Sequence, residues 1–298
     1  MLKDFKNFPI SEANTLLELA LTEDVGLGDV SALWSIPSTN IDSAYIVAKE
    51  FGVLCGSPFL ALILAKLDPQ NQVQFLWKIQ EGAYFEKGDI LLEMTGPTQI
   101  LLTAERTLLN FVQQLSGVAT ITSRYVKECV GQTQILDTRK TIPGWRKLQK
   151  YAVAVGGGTN HRMGLYDMVM LKDNHVDASV SLTHAVQKVL AQKSQTTIFD
   201  KNIRVEVECG DLAQVQECLN LDIQVIMLDN FSLELTQQAI QIIRASRPDI
   251  QIEASGNMTL KRIKSVSETG VDFISVGALT HSIQALDLSL KFIKKDTL

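Results

Sequence analysis

Apolar and polar residues follow two different rhythms along this chain. Over residues 1–100, short apolar segments alternate with turn signals. Ala44-Tyr45-Ile46-Val47-Ala48, Val73-Gln74-Phe75-Leu76-Trp77 and Ile90-Leu91-Leu92-Glu93-Met94 predict strands, separated by Glu81-Gly82 and Lys87-Gly88-Asp89. Apolar positions recurring at three- and four-residue steps predict helices over about 11–22 and 57–67. A small α+β unit accounts for this part. From Thr103 the period turns helical as far as about Ser116, with Leu108, Phe111, Val112 and Leu115 on one face.

Beyond residue 130, apolar strands alternate with helix-length segments. The strands are predicted at Thr133–Leu136, Met168–Leu171, Ile203–Val207, Gln224–Leu228, Ile250–Ala254 and Phe273–Val276. Several are nearly unbroken apolar runs, as strands covered on both faces are. This alternation predicts an α/β fold with a parallel sheet, open or closed into a barrel. The residues that follow the six strands are Asp137, Lys172, Glu208, Asp229, Ser255 and Gly277. Contact with water explains one or two polar strand ends. A series of anions, a cation, a hydroxyl and a glycine points instead to a ligand site at the carboxyl ends of the strands.

Composition narrows the function classes. The 298 residues are 46% apolar and 20% charged, which excludes global disorder, and the net charge of −5 argues against a general nucleic-acid binder. No apolar run reaches the length of a membrane span, and Met1-Leu2-Lys3-Asp4-Phe5-Lys6 lacks the apolar core of a secretory signal. Cys55, Cys129, Cys209 and Cys218 form no C-x-x-C pair, so buried free thiols in the cytoplasm are expected rather than a structural zinc site.

Against that acidic background, residues 139–162 hold Arg139, Lys140, Arg146, Lys147, Lys150, His161 and Arg162, and no Asp or Glu. Arg146, Lys147 and Lys150 read largely as a solvated helix face. Arg139, Lys140, His161, Arg162 and Lys172 sit beside strand ends or the Gly156-Gly157-Gly158 run, where convergent cations suit a small polyanion. Glu208 and Asp229, at adjacent strand ends, could hold Mg²⁺, stabilise a cationic transition state or work as acid and base. Glu206 shares a strand face with Glu208 one layer deeper, as a supporting residue that pairs a cation. Ser255-Gly256-Asn257 and Ser275-Val276-Gly277 end the last two strands ahead of helices, an arrangement that suits phosphate.

These residues fall in motifs that resemble the quinolinate phosphoribosyltransferase family, the carboxylating nicotinate-nucleotide diphosphorylases. The motifs are D-T-R-K-T-I-P-G at 137–144, G-G-G-T-N-H-R-M-G-L-Y-D at 156–167, L-K-D-N-H at 171–175 and V-E-V-E at 205–208. M-L-D-N at 227–230, E-A-S-G-N at 253–257 and I-S-V-G-A-L-T-H at 274–281 continue the series. E-D-V-G-L-G-D-V-S at 23–31 and A-E-R-T-L-L-N at 104–110 extend the resemblance over most of the chain, with Ser31 where the family often has Thr.

The resemblance implies an amino-terminal α+β open-faced sandwich over 1–115, completed by about 283–298, and an incomplete parallel α/β barrel over 116–282. It implies transfer of phosphoribosyl from phosphoribosyl pyrophosphate to quinolinate with Mg²⁺, giving nicotinate mononucleotide, pyrophosphate and CO₂. Arg139, His161, Arg162 and Lys172 would line the quinolinate pocket, with Lys140 between the substrates and Arg106 lent by a second subunit. Glu208 and Asp229 would face the ribose and the metal-pyrophosphate side. Ser255, Gly256, Asn257, Ser275, Gly277 and His281 would receive the 5′-phosphate. The assembly implied is a homodimer or a trimer of dimers, with no redox or pyridoxal cofactor.

Three other readings compete. A molybdenum-operon paralogue would depart from the family around 171–175, where this chain keeps Lys172-Asp173-Asn174-His175. A Schiff-base aldolase would use Lys172 as nucleophile. A non-catalytic anion-binding protein would have no use for the Glu208 and Asp229 pair.

Overall fold

A computed structural model describes residues 7–293. Contacts divide the described residues into two compact units: residues 7–123, 141–157 and 282–293 form the first, and 124–140 with 158–281 form the second. No helix among the described residues is long and apolar enough to cross a membrane.

The first unit begins with α1 (Ile10–Asp24) and α2 (Val30–Ser35), followed by β1 (Ile41–Ala48), β2 (Gly52–Val53) and α3 (Pro58–Leu67). β3 (Gln74–Trp77), β4 (Tyr84–Phe85) and β5 (Ile90–Pro97) come next, and α4 (Thr98–Glu128) leads the chain out of the unit. The last strand, β12 (Leu288–Phe292), returns to it. β12, β1, β5 and β3 make an antiparallel sheet in that order, with Ile46 opposite Leu290 on one side and Leu92 on the other. Along β1, Ala44, Ile46 and Ala48 are buried while their neighbours are not, the two-residue period of a half-covered strand. α3 begins at Pro58, where a missing N–H costs nothing.

The helix predicted over 103–116 extends beyond its periodicity at both ends, and α4 has 31 residues in all. Ser116-Gly117 reads as a stop in the sequence, yet Gly117 serves close packing. A Cβ there would lie 2.3 Å from the Gln284 carbonyl oxygen, so only glycine lets the returning chain pass. α5 (Arg146–Val155) also belongs to the first unit and corrects the reading of its charges. Lys147 is exposed and paired with Glu12, as a solvated face requires. Lys150 is only 1% exposed, because α5 buries Leu148, Gln149, Lys150, Ala152 and Val153 and so is enclosed on more than one side.

The second unit is built on a six-stranded parallel sheet. Its strands are β6 (Gln134–Leu136), β7 (Val169–Leu171), β8 (Val205–Cys209), β9 (Val225–Asp229), β10 (Gln251–Ser255) and β11 (Phe273–Ser275). They stand in the order β6-β11-β10-β9-β8-β7. Ile135, Val205, Val207, Ile226, Leu228, Ile252, Ala254 and Ile274 are buried, the two-sided burial that the apolar runs predict. Connecting helices α7 (Leu182–Gln195), α8 (Leu212–Cys218) and α9 (Leu233–Ser246) start at Ser181, Asp211 and Ser232. Each of these side chains accepts a backbone N–H of the first turn. The short α6 (Asp173–Asp177) follows β7, α10 (Leu260–Ser267) follows β10 and α11 (Ala278–His281) follows β11.

Among the described residues no ladder joins β6 to β7, so the parallel barrel is incomplete. An irregular stretch leads from one free edge to the other. Thr159 bridges to Leu136, its N–H donates to the Ile135 carbonyl and its carbonyl accepts from the Asp137 N–H. The chain then passes through His161 and Arg162 to reach β7.

Candidate active site

The sheet order brings the predicted site residues into one arc at the carboxyl ends of the strands. Arg139 and Lys140 follow β6, while Ser275, Gly277 and His281 follow or end β11. Ser255, Gly256 and Asn257 lie at the end of β10, Asp229 closes β9, Glu208 lies one residue from the end of β8, and Lys172 follows β7. β8 begins two residues later than its apolar run predicts, so Glu208 belongs to the strand itself, and Asp229 and Ser255 are the last residues of theirs. Arg106 belongs to the first unit, exposed on α4.

At the β6 and β11 side, the Thr280 hydroxyl donates to the Lys140 carbonyl at 2.7 Å. Gly277 is closely packed. A Cβ would stand 3.0 Å from His281 Nε2 and 3.2 Å from Lys140 Cδ, so the three residues crowd one place. At the β9 and β10 side, Gly256 has φ +91° and a Cβ would meet Asn230 Oδ1 at 2.1 Å. Asn230 and Asn257 also take left-handed backbone, φ 58° and 47°, which side-chain amides tolerate better than most groups. Asn230 Nδ2 donates to Asp229 Oδ2 at 2.7 Å, and Asn230 N–H donates to the Ser255 carbonyl at 3.0 Å. Asn230 thus ties Asp229 to the Ser255–Asn257 turn. Its place beside Asp229 in M-L-D-N is the only signal in the sequence.

At the β7 and β8 side, the Lys172 ammonium is paired with the Glu208 carboxylate. Lys172 N–H donates to His175 Nδ1 at 3.0 Å, which sets the start of α6. An ammonium held against a carboxylate is poorly placed to act as a free amine nucleophile.

The residues between the sheet edges are held from several directions. The Asp137 carboxylate, fully buried, accepts His161 N–H at 2.9 Å. Arg162 Nη1 donates to the Met168 carbonyl at 3.1 Å, and Nη2 lies 3.4 Å from the Met170 sulfur. Burial works against the Arg162 charge and so does the Arg139 guanidinium, while Glu206 and Asp167 favour it; the net shift of its pKa is downward.

The His161 ring does not stand in the open mouth. Its side chain is 7% exposed, and Nε2 lies 3.4 Å from Glu206 Oε2 and 3.3 Å from Glu253 Oε2. Burial opposes the imidazolium, but the two carboxylates outweigh it and raise the pKa. The Arg162 N–H lies 2.6 Å from Nδ1, at the other nitrogen of the ring from the one that faces the carboxylates. Burial pushes Glu206 up to about 7, with Glu253 adding to it and His161 and Arg162 pulling it back. The supporting, cation-pairing position read for Glu206 is where the structure puts it. Glu253 is marked in the sequence only by its place at the head of E-A-S-G-N, whereas Glu206 is marked by the Glu-x-Glu spacing as well.

Two carboxylate sets bear on metal binding. Nε2 of His161 and the Glu206 and Glu253 oxygens lie within 4.8 Å of one another, but they are closed from solvent and the imidazole already supplies positive charge. Glu208 and Asp229 are partly exposed, carry only hard oxygen donors and stand on adjacent strands. This second set fits a Mg²⁺ ion that arrives with a ligand's phosphates.

Comparison with known proteins agrees over most of the chain. The family model described as Quinolinate phosphoribosyl transferase, N-terminal domain, matches residues 29–116, and that of the C-terminal domain matches 118–291. A chloroplastic carboxylating nicotinate-nucleotide pyrophosphorylase of Arabidopsis thaliana is 39% identical over 299 residues, covering 95% of this chain and 83% of that protein. A mitochondrial decarboxylating quinolinate phosphoribosyltransferase of Nicotiana tabacum matches equally well, at 39% over the same shares. The solved structure of the nicotinate-nucleotide pyrophosphorylase from Francisella tularensis superposes with a TM-score of 0.87 at 38% identity, covering 96% of this chain and 98% of that one.

Proposed function

The chain belongs to the quinolinate phosphoribosyltransferase family, and on that footing we propose that it converts quinolinate and phosphoribosyl pyrophosphate to nicotinate mononucleotide, pyrophosphate and CO₂. The observation that carries this reading is the arc of strand ends, with cations at both ends and carboxylates and glycine turns between them. Arg139, Arg162 and Lys172 bind the two carboxylates of quinolinate, with His161 behind them and Lys140 between the substrates. The 5′-phosphate is received by Ser255, Gly256, Asn257, Ser275, Gly277 and His281. At Gly256 and Gly277 the missing Cβ lets Asn230, and His281 with Lys140, pack against the turns that would receive it.

Glu208 and Asp229 face the ribose, where their charge favours the cation that develops at the anomeric carbon. They are also the residues that would hold Mg²⁺, which supplies charge neutralisation of the leaving pyrophosphate. The ring nitrogen forms the new bond to the anomeric carbon as the bond to pyrophosphate breaks. The resulting pyridinium then accepts the electron pair released when the adjacent carboxylate leaves as CO₂, and the ring carbon takes up a proton. The protein's part is to hold both reactants in line. No nucleic acid or membrane takes part.

Arg106 is an exposed cation on the first unit, and we assign it to the site of a second subunit in a homodimer or larger assembly of dimers. Free thiols at Cys55, Cys129, Cys209 and Cys218 suit the reducing cytoplasm. The test is release of CO₂ from carboxyl-labelled quinolinate, with phosphoribosyl pyrophosphate and Mg²⁺ omitted in turn. Release that needs all three, with nicotinate mononucleotide formed in step, supports the function. No release from folded protein overturns it.

A further inference from the structure

The oddest cluster in the molecule lies beneath the arc. Glu206 and Glu253 come from the middle of β8 and β10, and both are buried, with side chains 1% and 2% exposed. Among the described residues, Glu206 Oε1 and Oε2 and Glu253 Oε1 make no hydrogen bond. Two carboxylates in an apolar interior oppose folding unless a cation answers them. The cation here is one imidazole, so the pair is left with more negative charge than it needs for its own stability.

Above this excess lie two guanidinium groups. Arg139 and Arg162 act on each other as like charges, and Glu206 acts on Arg162 as an opposite charge. Convergent arginines suit a dicarboxylate but repel one another before it arrives. Other contacts fix the backbone of His161-Arg162 and its approach: Asp137 takes the His161 N–H, Met168 takes the Arg162 guanidinium, and Thr159, two residues before His161, is bound to β6. None of these contacts reaches the His161 ring.

We propose that Glu206 and Glu253 are positioning residues for the dicarboxylate pocket. By holding the His161 ring from below, they fix the His161-Arg162 pair and keep Arg162 beside Arg139 in the absence of substrate. They touch no reacting atom. Their effect belongs to quinolinate capture, because both carboxylates face the His161 ring, whereas the donor-side Glu208 and Ser255 lie two residues further along the same strands. The inference rests on the function proposed above.

The variants E206Q and E253Q each keep the shape and leave one carboxylate for His161, so both should fold, with a Tm at or above that of the unchanged protein. The KM for quinolinate should rise about 10- to 100-fold in each, as when partners behind a binding group are removed. The KM for phosphoribosyl pyrophosphate and the kcat at saturating quinolinate should stay within about threefold. E206D, which restores the charge on a shorter stem, should recover part of the loss. An unchanged KM for quinolinate in a folded variant overturns the inference alone. So does a joint fall of kcat, both affinities and Tm, which would mark a merely structural role. If E206Q fails to fold, E253Q and E206D decide by the same readings. Failure of the unchanged protein to release CO₂ overturns the function, and this inference with it.

Discussion

Each unit of the molecule sets carboxylates within its fold, the half-buried Glu81 in the first and the buried Glu206 and Glu253 in the second, and the two are built on opposite terms. In the first unit, the Glu81 carboxylate accepts the backbone N–H groups of Gly56 at 2.7 Å and Ser57 at 2.9 Å, and the Tyr151 hydroxyl at 3.0 Å. It closes a turn at the start of α3 and ties it to α5, with both oxygens used. In the second unit, Glu206 and Glu253 lean on a single imidazole, and three of their four oxygens take no hydrogen bond among the described residues. A half-buried acid with all its bonds made adds to stability. An unsatisfied one reduces it, and its persistence at a strand-end site marks a group kept for what it does to its neighbours. The first cluster holds a fold together, while the second holds charges in place.

The contrast can be broken in graded ways. The largest effect is on turnover: Lys140→Ala and Lys172→Ala should each lower kcat/KM by about 10³-fold or more while Tm stays within a few degrees, read by CO₂ release beside thermal unfolding. A fall in Tm that matches the lost activity would refute the assignment of these cations to the site. Next comes Glu81→Ala, which leaves three donors without a partner and should cost about 2–4 kcal/mol in urea unfolding with both KM values unchanged. An altered KM would mean that the first cluster is not purely architectural.

Gly256→Ala should act on both scales at once. It strains a φ of +91° and drives Asn230 from the Asp229 turn, so a loss of about 1–3 kcal/mol and a raised KM for phosphoribosyl pyrophosphate should come together.

Titration separates the clusters more gently. The folded pKa of His161 is raised, so its stabilisation is complete below 6.5 and is lost as pH climbs through about 10. Glu206 is raised to about 7, so its share is complete below 4.5 and is lost as pH passes 7. Hydrogen exchange followed from pH 6 to 10, corrected for intrinsic rates, should therefore show β8 and β10 losing protection before β1 and β5 do. The reverse order would contradict the charge balance assigned to the barrel. The smallest effect is at a cap: Ser181→Ala should cost about 1 kcal/mol and leave both KM values alone.

Much of this was legible in the residues. All six barrel strands stand within two residues of where their apolar runs predict, because strands covered on both faces leave an unbroken signal. The strand-end residues followed from that placement. The exceptions are positions whose meaning depends on a distant partner. Gly117 reads as a helix stop until Gln284 is seen beside it. Lys150 reads as exposed because local periodicity does not reveal that α5 is enclosed on more than one side. Glu253 opens the E-A-S-G-N motif, but its partners are not visible until β8 and the 158–168 stretch bring Glu206 and His161 to it. His161 itself was found from its neighbours, but only the packing shows that its ring turns inward.

The return of β12 to β1 has a consequence for how the protein is made. Translation delivers β1 and β5 early, yet the partner that covers the free edge of β1 lies beyond the entire barrel in the chain. Until the ribosome has passed residue 292, that edge offers unpaired backbone groups to any other nascent chain. The barrel, whose strands are contiguous apart from the α5 excursion, can assemble in the meantime. The domain synthesised first is thus completed last, and a ribosome stalled before residue 288 would present a finished barrel attached to an open, pairing-competent sheet.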